Sequence, residues 1–117
     1  MHKLSCFENW LPLVRLSMRD LPCDRSISGV YAIRLAATGE ILYVGSSNNL
    51  RRRILGNYIG GVGGETTQRI HGLLFSEGQI TEVEIAWIEL DEYRDEEAEL
   101  KDEYRTKHGR LPAWNRL

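Results

Sequence analysis

The chain has 117 residues and a net charge of −2, with 42% hydrophobic and 27% charged residues. This length fits one domain with its own core, and this composition excludes collagen-like, low-complexity and disordered chains. No apolar run approaches the roughly 20 residues of a membrane helix, and the first residues lack the pattern of a signal peptide. Cys6 and Cys23 are too few for a disulfide scaffold or a cysteine-based zinc site. We therefore expect a cytoplasmic protein with free thiols and no membrane association.

The first element along the chain is a predicted helix. Phe7, Trp10, Leu11 and Val14 recur at helical spacing, which predicts a short amphipathic helix over residues 7–18. Pro12 lies inside this stretch, and the helix could begin there, where proline is tolerated. Turn residues follow. Residues 1–27 are therefore predicted to be an N-terminal helix and loop extension of a domain over residues 28–117.

The remaining pattern predicts an α+β domain. Residues 28–35 and 41–45 have the β-branched and aromatic composition of two strands, and residues 37–40 form a turn between them. A helix that carries three arginines follows as far as about residue 58, and a second helix covers about residues 66–78. Residues 83–90 alternate as a half-buried strand, residues 95–107 form a last helix, and residues 111–117 form an extended tail. The expected architecture is a small three-stranded antiparallel sheet flanked by helices.

Charge is unevenly distributed along this sequence. The middle of the chain is basic, and its basic residues are Arg51, Arg52, Arg53, Arg69 and His71. The last third is crowded with acidic residues, most of them between residues 82 and 103. Such an arrangement is typical of two solvated faces, and it also fits a phosphate-binding surface that faces a metal-binding carboxylate.

Five polar residues stand out when they are taken together. Tyr31 and Tyr43 lie on the two strands of the predicted hairpin, and Arg53 follows Tyr43 by ten residues, inside the next helix. Glu97 lies on the last helix, and Asn115 lies near the end of the chain. Each residue by itself has an ordinary structural role, because strand tyrosines usually pack and helix arginines usually face solvent. Their order and spacing favour a shared site.

These motifs resemble those of the GIY-YIG nuclease family. The matching pieces are Gly29-Val30-Tyr31, Tyr43-Val44-Gly45, Arg53 at the family's spacing, and the closing Pro112-Ala113-Trp114-Asn115. The resemblance covers about residues 28–117. It implies a three-stranded antiparallel sheet flanked by helices, and metal-dependent hydrolysis of DNA phosphodiesters.

The resemblance also implies a role for each residue. Glu97 would hold Mg²⁺ or Mn²⁺, and Arg53 would bind a phosphate oxygen with its fork-shaped guanidinium. Tyr43 is the preferred base for the attacking water, with Tyr31 in support, although the two could exchange roles. Asn115 would tie the tail to the site. Three other acids remain open as the metal ligand, and only one can face the site because each residue turns a helix by about 100 degrees. They are Glu96, Glu99 and Glu103.

Contact with nucleic acid is assigned to the basic middle of the chain. The residues expected to contact DNA are Arg51, Arg52, Arg69, Tyr58 and His71. A patch of this size predicts weak, salt-sensitive binding. The protein would then either cut with little sequence preference or take its specificity from a partner protein or a second copy of the chain.

Two positions depart from the family pattern. Asn57 stands four residues after Arg53, where many members have His or Tyr, and Ser46 stands where some members have Lys. These departures leave open a second hypothesis, a binding module of the same fold that cuts nothing. A third hypothesis is an interaction domain that docks a partner protein through an exposed Trp114 and the acidic helix.

Overall fold

The structure is a computed structural model that describes residues 3–16, 20–21, 27–75 and 82–116. One antiparallel sheet contains β1 (Leu11–Pro12), β2 (Gly29–Leu35), β3 (Ile41–Ser47) and β4 (Val83–Glu89). The strands lie in the order β1-β4-β2-β3. The predicted α+β class, hairpin and later strand are confirmed. The expected number of three strands is wrong, because the N-terminal segment adds β1 to the edge of β4.

The helix predicted over residues 7–18 is wrong, apart from residues 17 and 18, which lie outside the described residues. Two short 3₁₀ turns, Leu4–Cys6 and Leu13–Arg15, stand on either side of β1 instead. Asn9 has a left-handed backbone with φ of 56°, which a continuous helix does not accommodate. Pro12 has no N–H group, and a short edge strand tolerates that absence better than a helix interior does.

The helical spacing of this segment misleads because its apolar side chains separate to the two faces of the sheet. Phe7 is buried in a cluster on one face, whereas Leu13 and Leu16 are buried in the cluster on the other. The segment therefore belongs to the packed core, since its chain passes around the β1 edge and contributes to both faces.

Within the described ranges, three helices of eight or more residues cover the sheet. They are a π-helix (Arg52–Ile59), α1 (Glu65–Phe75) and α2 (Tyr93–His108). Gly109 ends α2 with φ of 80°, a conformation that glycine adopts without steric cost. The predicted end of α1 near residue 78 lies outside the described residues. Among the described residues, no helix is long and apolar enough to cross a membrane.

The sheet has two differently covered faces. We call them the tyrosine face, which Tyr31 and Tyr43 share with the π-helix and α1, and the α2 face, where Leu100 of α2 packs. The tail is a 3₁₀ turn, Ala113–Arg116, so the predicted extended tail is wrong. Trp114 is only 5% exposed and packs on the tyrosine face, so the exposed Trp114 of the third hypothesis is also wrong.

Candidate active site

The hairpin brings its two tyrosines together. Tyr31 on β2 lies opposite Gly45 on β3, and Ile33 lies opposite Tyr43. Tyr31 and Tyr43 are therefore diagonal neighbours on one face of the sheet. Their rings stack with centroids 6.1 Å apart and an interplanar angle of 28°. The strand pairing predicted from the sequence thus produces the contact between the two tyrosines.

Gly45 makes room for this contact. A Cβ atom at residue 45 would stand 2.5 Å from the hydroxyl oxygen of Tyr31 and 2.8 Å from the ring of Tyr43. Real Cβ atoms do not approach other heavy atoms so closely. The glycine of the Tyr43-Val44-Gly45 motif is therefore required by the tyrosine pair that flanks it.

The π-helix adds a third tyrosine, Tyr58. Its ring centroid lies 5.8 Å from that of Tyr31 and 6.3 Å from that of Tyr43, and both contacts are edge-on. The hydroxyls of Tyr58 and Tyr31 share a hydrogen bond. Tyr58 is 1% exposed, so in this structure it lies inside the site. Its predicted contact with DNA stays a prediction.

Arg53 lies on the same helix and acts electrostatically on this cluster. Its positive charge lowers the pKa of both Tyr31 and Tyr58, although larger effects oppose it. Its Nε atom is buried and has no hydrogen-bond partner among the described residues. A buried donor without a partner costs free energy that an incoming acceptor would recover. This orphaned donor fits an anionic ligand such as a phosphate.

Burial determines the protonation of two of the tyrosines. Burial is the largest cause that raises the pKa of Tyr31 well above its ordinary value of 10.0, and the nearby hydroxyls of Tyr58 and Tyr43 raise it further. Burial also raises the pKa of Tyr58, ahead of the effect of Tyr43. Both phenols therefore keep their protons well above neutral pH. Tyr43 is the half-buried member of the three and thus the one open to a water molecule.

Glu97 lies at the same edge of the sheet but makes its contacts on the α2 face. Ser46, near the end of β3, donates a hydrogen bond to one of its carboxylate oxygens. Lys101 contacts the other oxygen at 2.5 Å. The described contacts of Glu97 thus join it to β3 beyond Gly45, and not to the tyrosine rings.

The three alternative acids have other surroundings. Glu103 accepts a hydrogen bond from the backbone N–H of Leu4 at 2.9 Å and pairs with Lys107 at 3.3 Å, so it anchors the N-terminal segment. Glu96 is buried at 8% exposed, and Glu99 is exposed. The described hydrogen bond from Ser46 thus joins Glu97 to β3.

Asn115 binds the strand that carries Tyr43. Its Oδ1 accepts from the backbone N–H of Val44, and its Nδ2 donates to the carbonyl of the same residue, both at 2.9 Å. This side chain therefore pairs with the free edge of β3 as another strand would. The structure shows the tie between tail and strand that the sequence predicted, whereas any catalytic role for Asn115 stays a prediction.

The residues predicted to contact DNA lie on the π-helix and α1 side. Arg52 is exposed and Arg51 is half-buried. Arg69 pairs with Glu65 at 2.7 Å on the surface of α1. The Nδ1 atom of His71 lies 2.8 Å from the carbonyl oxygen of Tyr58. Because a carbonyl only accepts, Nδ1 carries the proton, and this bond links α1 to the site.

Sequence reasoning missed two residues that hold Glu97. Ser46 entered the sequence analysis only as a departure from the family, and Lys101 was not singled out at all. The spacing of Lys101, four residues after Glu97 on one helix, is a recognisable signal for an ion pair. No signal in the sequence pairs Ser46 with Glu97, because their contact depends on how α2 packs on β3.

Comparison with known proteins agrees with this geometry. The family model of the GIY-YIG catalytic domain matches residues 27–112, well over half of the chain. The chain therefore belongs to the GIY-YIG family. No curated protein and no solved structure shows a significant match to it. GIY-YIG domains are typically endonucleases that use divalent metals, and the family as a whole implies a nucleic acid substrate.

Proposed function

We propose that this protein is a DNA endonuclease that hydrolyses phosphodiester bonds with one Mg²⁺ or Mn²⁺ ion. The observation that carries the proposal is the convergence of three tyrosine rings and Arg53 on one face of a GIY-YIG sheet. Phosphodiester hydrolysis needs an oriented water, a cation for the phosphate and a group that assists the proton transfer. In this chain the tyrosines would orient the water and assist the proton transfer, and Arg53 would supply a cation for the phosphate.

The residues divide the work according to their exposure. Tyr43, the accessible tyrosine of the three, orients the attacking water. In its phenolate form, after its own proton has passed to solvent, it takes the proton of that water. Tyr31 is buried and neutral, so it holds the hydroxyl network in place rather than removing a proton. Arg53 binds a phosphate oxygen with its guanidinium and stabilises the negative charge that grows there.

A divalent metal fits Glu97 in one particular way. Among the residues that the structure describes, no three His, Cys, Asp or Glu side chains form a ligand group. Mg²⁺ does not need such a cage, because it keeps several waters and binds one or two carboxylates together with substrate phosphate. Glu97 is partly exposed and Ser46 fixes its orientation, so it suits this mode. When bound, the metal would polarise the phosphate.

Substrate and partners follow from the family and from the arginines. The expected substrate is DNA, contacted by the exposed arginines of the π-helix and α1, in a cytoplasmic protein. A homodimer or a partner protein would add specificity, because a patch of this size binds phosphates weakly and loses affinity as salt rises.

A second candidate is a binding module of the same fold that does not cut. The contacts of Glu97 favour it, because Ser46 and Lys101 occupy both carboxylate oxygens. Such a module would bind DNA at low salt whether or not metal is present. A nuclease would instead show cleavage that EDTA abolishes.

The test is cleavage of supercoiled plasmid and of a branched duplex with Mg²⁺, Mn²⁺ or EDTA. We expect metal-dependent cleavage by the wild type and its loss in Glu97→Gln. Glu99→Gln is the matched control, because Glu99 is an exposed carboxylate on the same helix. Loss of cleavage in Glu99→Gln alone would move the ligand to that residue. Absence of cleavage by the wild type on every substrate would favour the binding module.

A further inference from the structure

Two neighbouring residues of the π-helix compete for one place in the site. In an α-helix, residues four apart share a face, so Asn57 would lie beside Arg53. In a π-helix the hydrogen bonds join residues five apart and each turn is wider, so Tyr58 is rotated towards the face of Arg53. The choice between an amide and a phenol at the site therefore depends on the hydrogen-bond register of one short helix.

The structure has the π register. The N–H group of Gly60 donates to the carbonyl of Leu55 at 2.9 Å, a bond between residues five apart. Tyr58 is 1% exposed and its hydroxyl bonds that of Tyr31. Asn57 is directed away from the site, and its Nδ2 atom donates to the carbonyl of Val62. Tyr58 thus enters the site, and Asn57 stays outside it.

Contacts from α1 hold the end of this helix. His71 donates from Nδ1 to the carbonyl of Tyr58 at 2.8 Å. Carbonyls in the last turn of a helix have no hydrogen-bond partner within that helix, so this bond satisfies one of them. The ring of Phe75 lies 4.9 Å from that of His71. Gln68 donates to the carbonyl of Gly61 at 2.5 Å. These bonds fix the chain just beyond Tyr58, where a shift to α register would move every carbonyl.

We propose that the π register of residues 52–59, held by the bond from His71 to the Tyr58 carbonyl, is the device that places Tyr58 against Tyr31 and Tyr43. His71 and Tyr58 are then positioning residues, since they act through the other two tyrosines. The effect on cleavage rests on the nuclease activity proposed above, whereas the register itself can be measured without it.

The first experiment compares the two competing residues. Tyr58→Phe removes the hydroxyl that bonds Tyr31, and we expect the cleavage rate to fall about 100-fold because misplacement by about 1 Å costs that much. Asn57→Ala should lower the rate far less. Tyr104→Phe is the matched control, because Tyr104 stacks on His108 of α2, outside the site. A larger loss in Asn57→Ala than in Tyr58→Phe would overturn the proposal.

The second experiment tests the register through rescue. His71→Leu removes the donor to the Tyr58 carbonyl, and we expect about a tenfold loss in kcat with little change in KM. Deletion of Gly56 should restore activity in that background, because it places Tyr58 four residues after Arg53, the spacing of an α-helix. Gly56 is chosen for deletion because it lies between Arg53 and Tyr58 and has no side chain to lose. A destabilised fold would not be repaired by removing a residue.

The third measurement does not depend on activity. Nuclear Overhauser effects between the ring protons of Tyr58 and those of Tyr31 and Tyr43 should be present in the wild type and weakened in His71→Leu. They should return when Gly56 is also deleted. If the wild type cuts no DNA but shows these effects, the proposed function fails and the register stands. If the effects are absent while DNA is cut, the register proposal fails alone.

Discussion

The tyrosine face and the α2 face differ in what their polar groups contact. On the tyrosine face, phenols contact one another beside an arginine, and two of the three hydroxyls are shut away from solvent. On the α2 face, the carboxylate of Glu97 is partly exposed and meets a lysine and a serine. Tyr43 and Ser46 lie three residues apart on β3, and their side chains point to opposite faces. The edge strand β3 is thus the element that relates the two halves of the proposed site.

The largest expected effect on stability concerns the N-terminal segment, which packs on both faces of the sheet. Leu13 is fully buried, so Leu13→Ala should lower the free energy of unfolding by about 2–5 kcal/mol, through lost burial and the cavity that remains. Urea unfolding measures this change in the free energy of unfolding. Val62→Ala is the control, because Val62 is 67% exposed and should change the value by less than about 0.5 kcal/mol. Equal effects of the two variants would mean that the N-terminal segment is a loose extension after all.

The next effect belongs to the tyrosine face alone. Arg53→Lys keeps the charge but loses the fork of donors, so cleavage should fall about 100-fold, or about 2.7 kcal/mol, in single-turnover assays. Arg105→Lys is the matched control, because Arg105 is exposed on α2 and pairs with Asp102. Full activity in Arg53→Lys would show that only a positive charge is needed there.

A smaller effect is expected from pH. The pKa of Tyr31 is raised in the folded state, so the unfolded chain loses that proton first as pH rises. The stabilising effect of Tyr31 is therefore complete below about pH 10 and declines above it, by up to about 1.4 kcal/mol per pH unit. Urea unfolding between about pH 9 and 11 should give a shallower decline for Tyr31→Phe than for the wild type. Parallel curves would contradict the burial of this phenol.

The smallest effect is expected at the edge of β3. Asn115→Ala removes two hydrogen bonds to Val44, and water can replace them at this half-buried edge, so the cost should be about 1 kcal/mol. Amide hydrogen exchange should show the change directly, with faster exchange at Val44 and no change at Ala32 on the central strand. Unchanged exchange at Val44 would mean that the tail does not protect this strand.

The elements of the hairpin could be predicted because their signals are local. The turn between β2 and β3 and the composition of both strands are local, so the sequence predicted the hairpin that carries Tyr31 and Tyr43. Its register, which shifts between Ile33 and Arg34, came only from the structure. The segment over residues 7–18 could not be predicted in this way. Helical spacing of apolar residues also arises when a chain crosses the edge of a sheet and buries residues on both sides.

By itself, the sequence determined the α+β class, the order of the main elements and the motifs that place this chain in the GIY-YIG family. Only the tertiary structure decided that Tyr58 rather than Asn57 enters the site, and that Ser46 and Lys101 hold Glu97. The reason is physical. Patterns along the chain report contacts a few residues apart, whereas the register of a π-helix and the packing of α2 on β3 are set by groups far away in sequence.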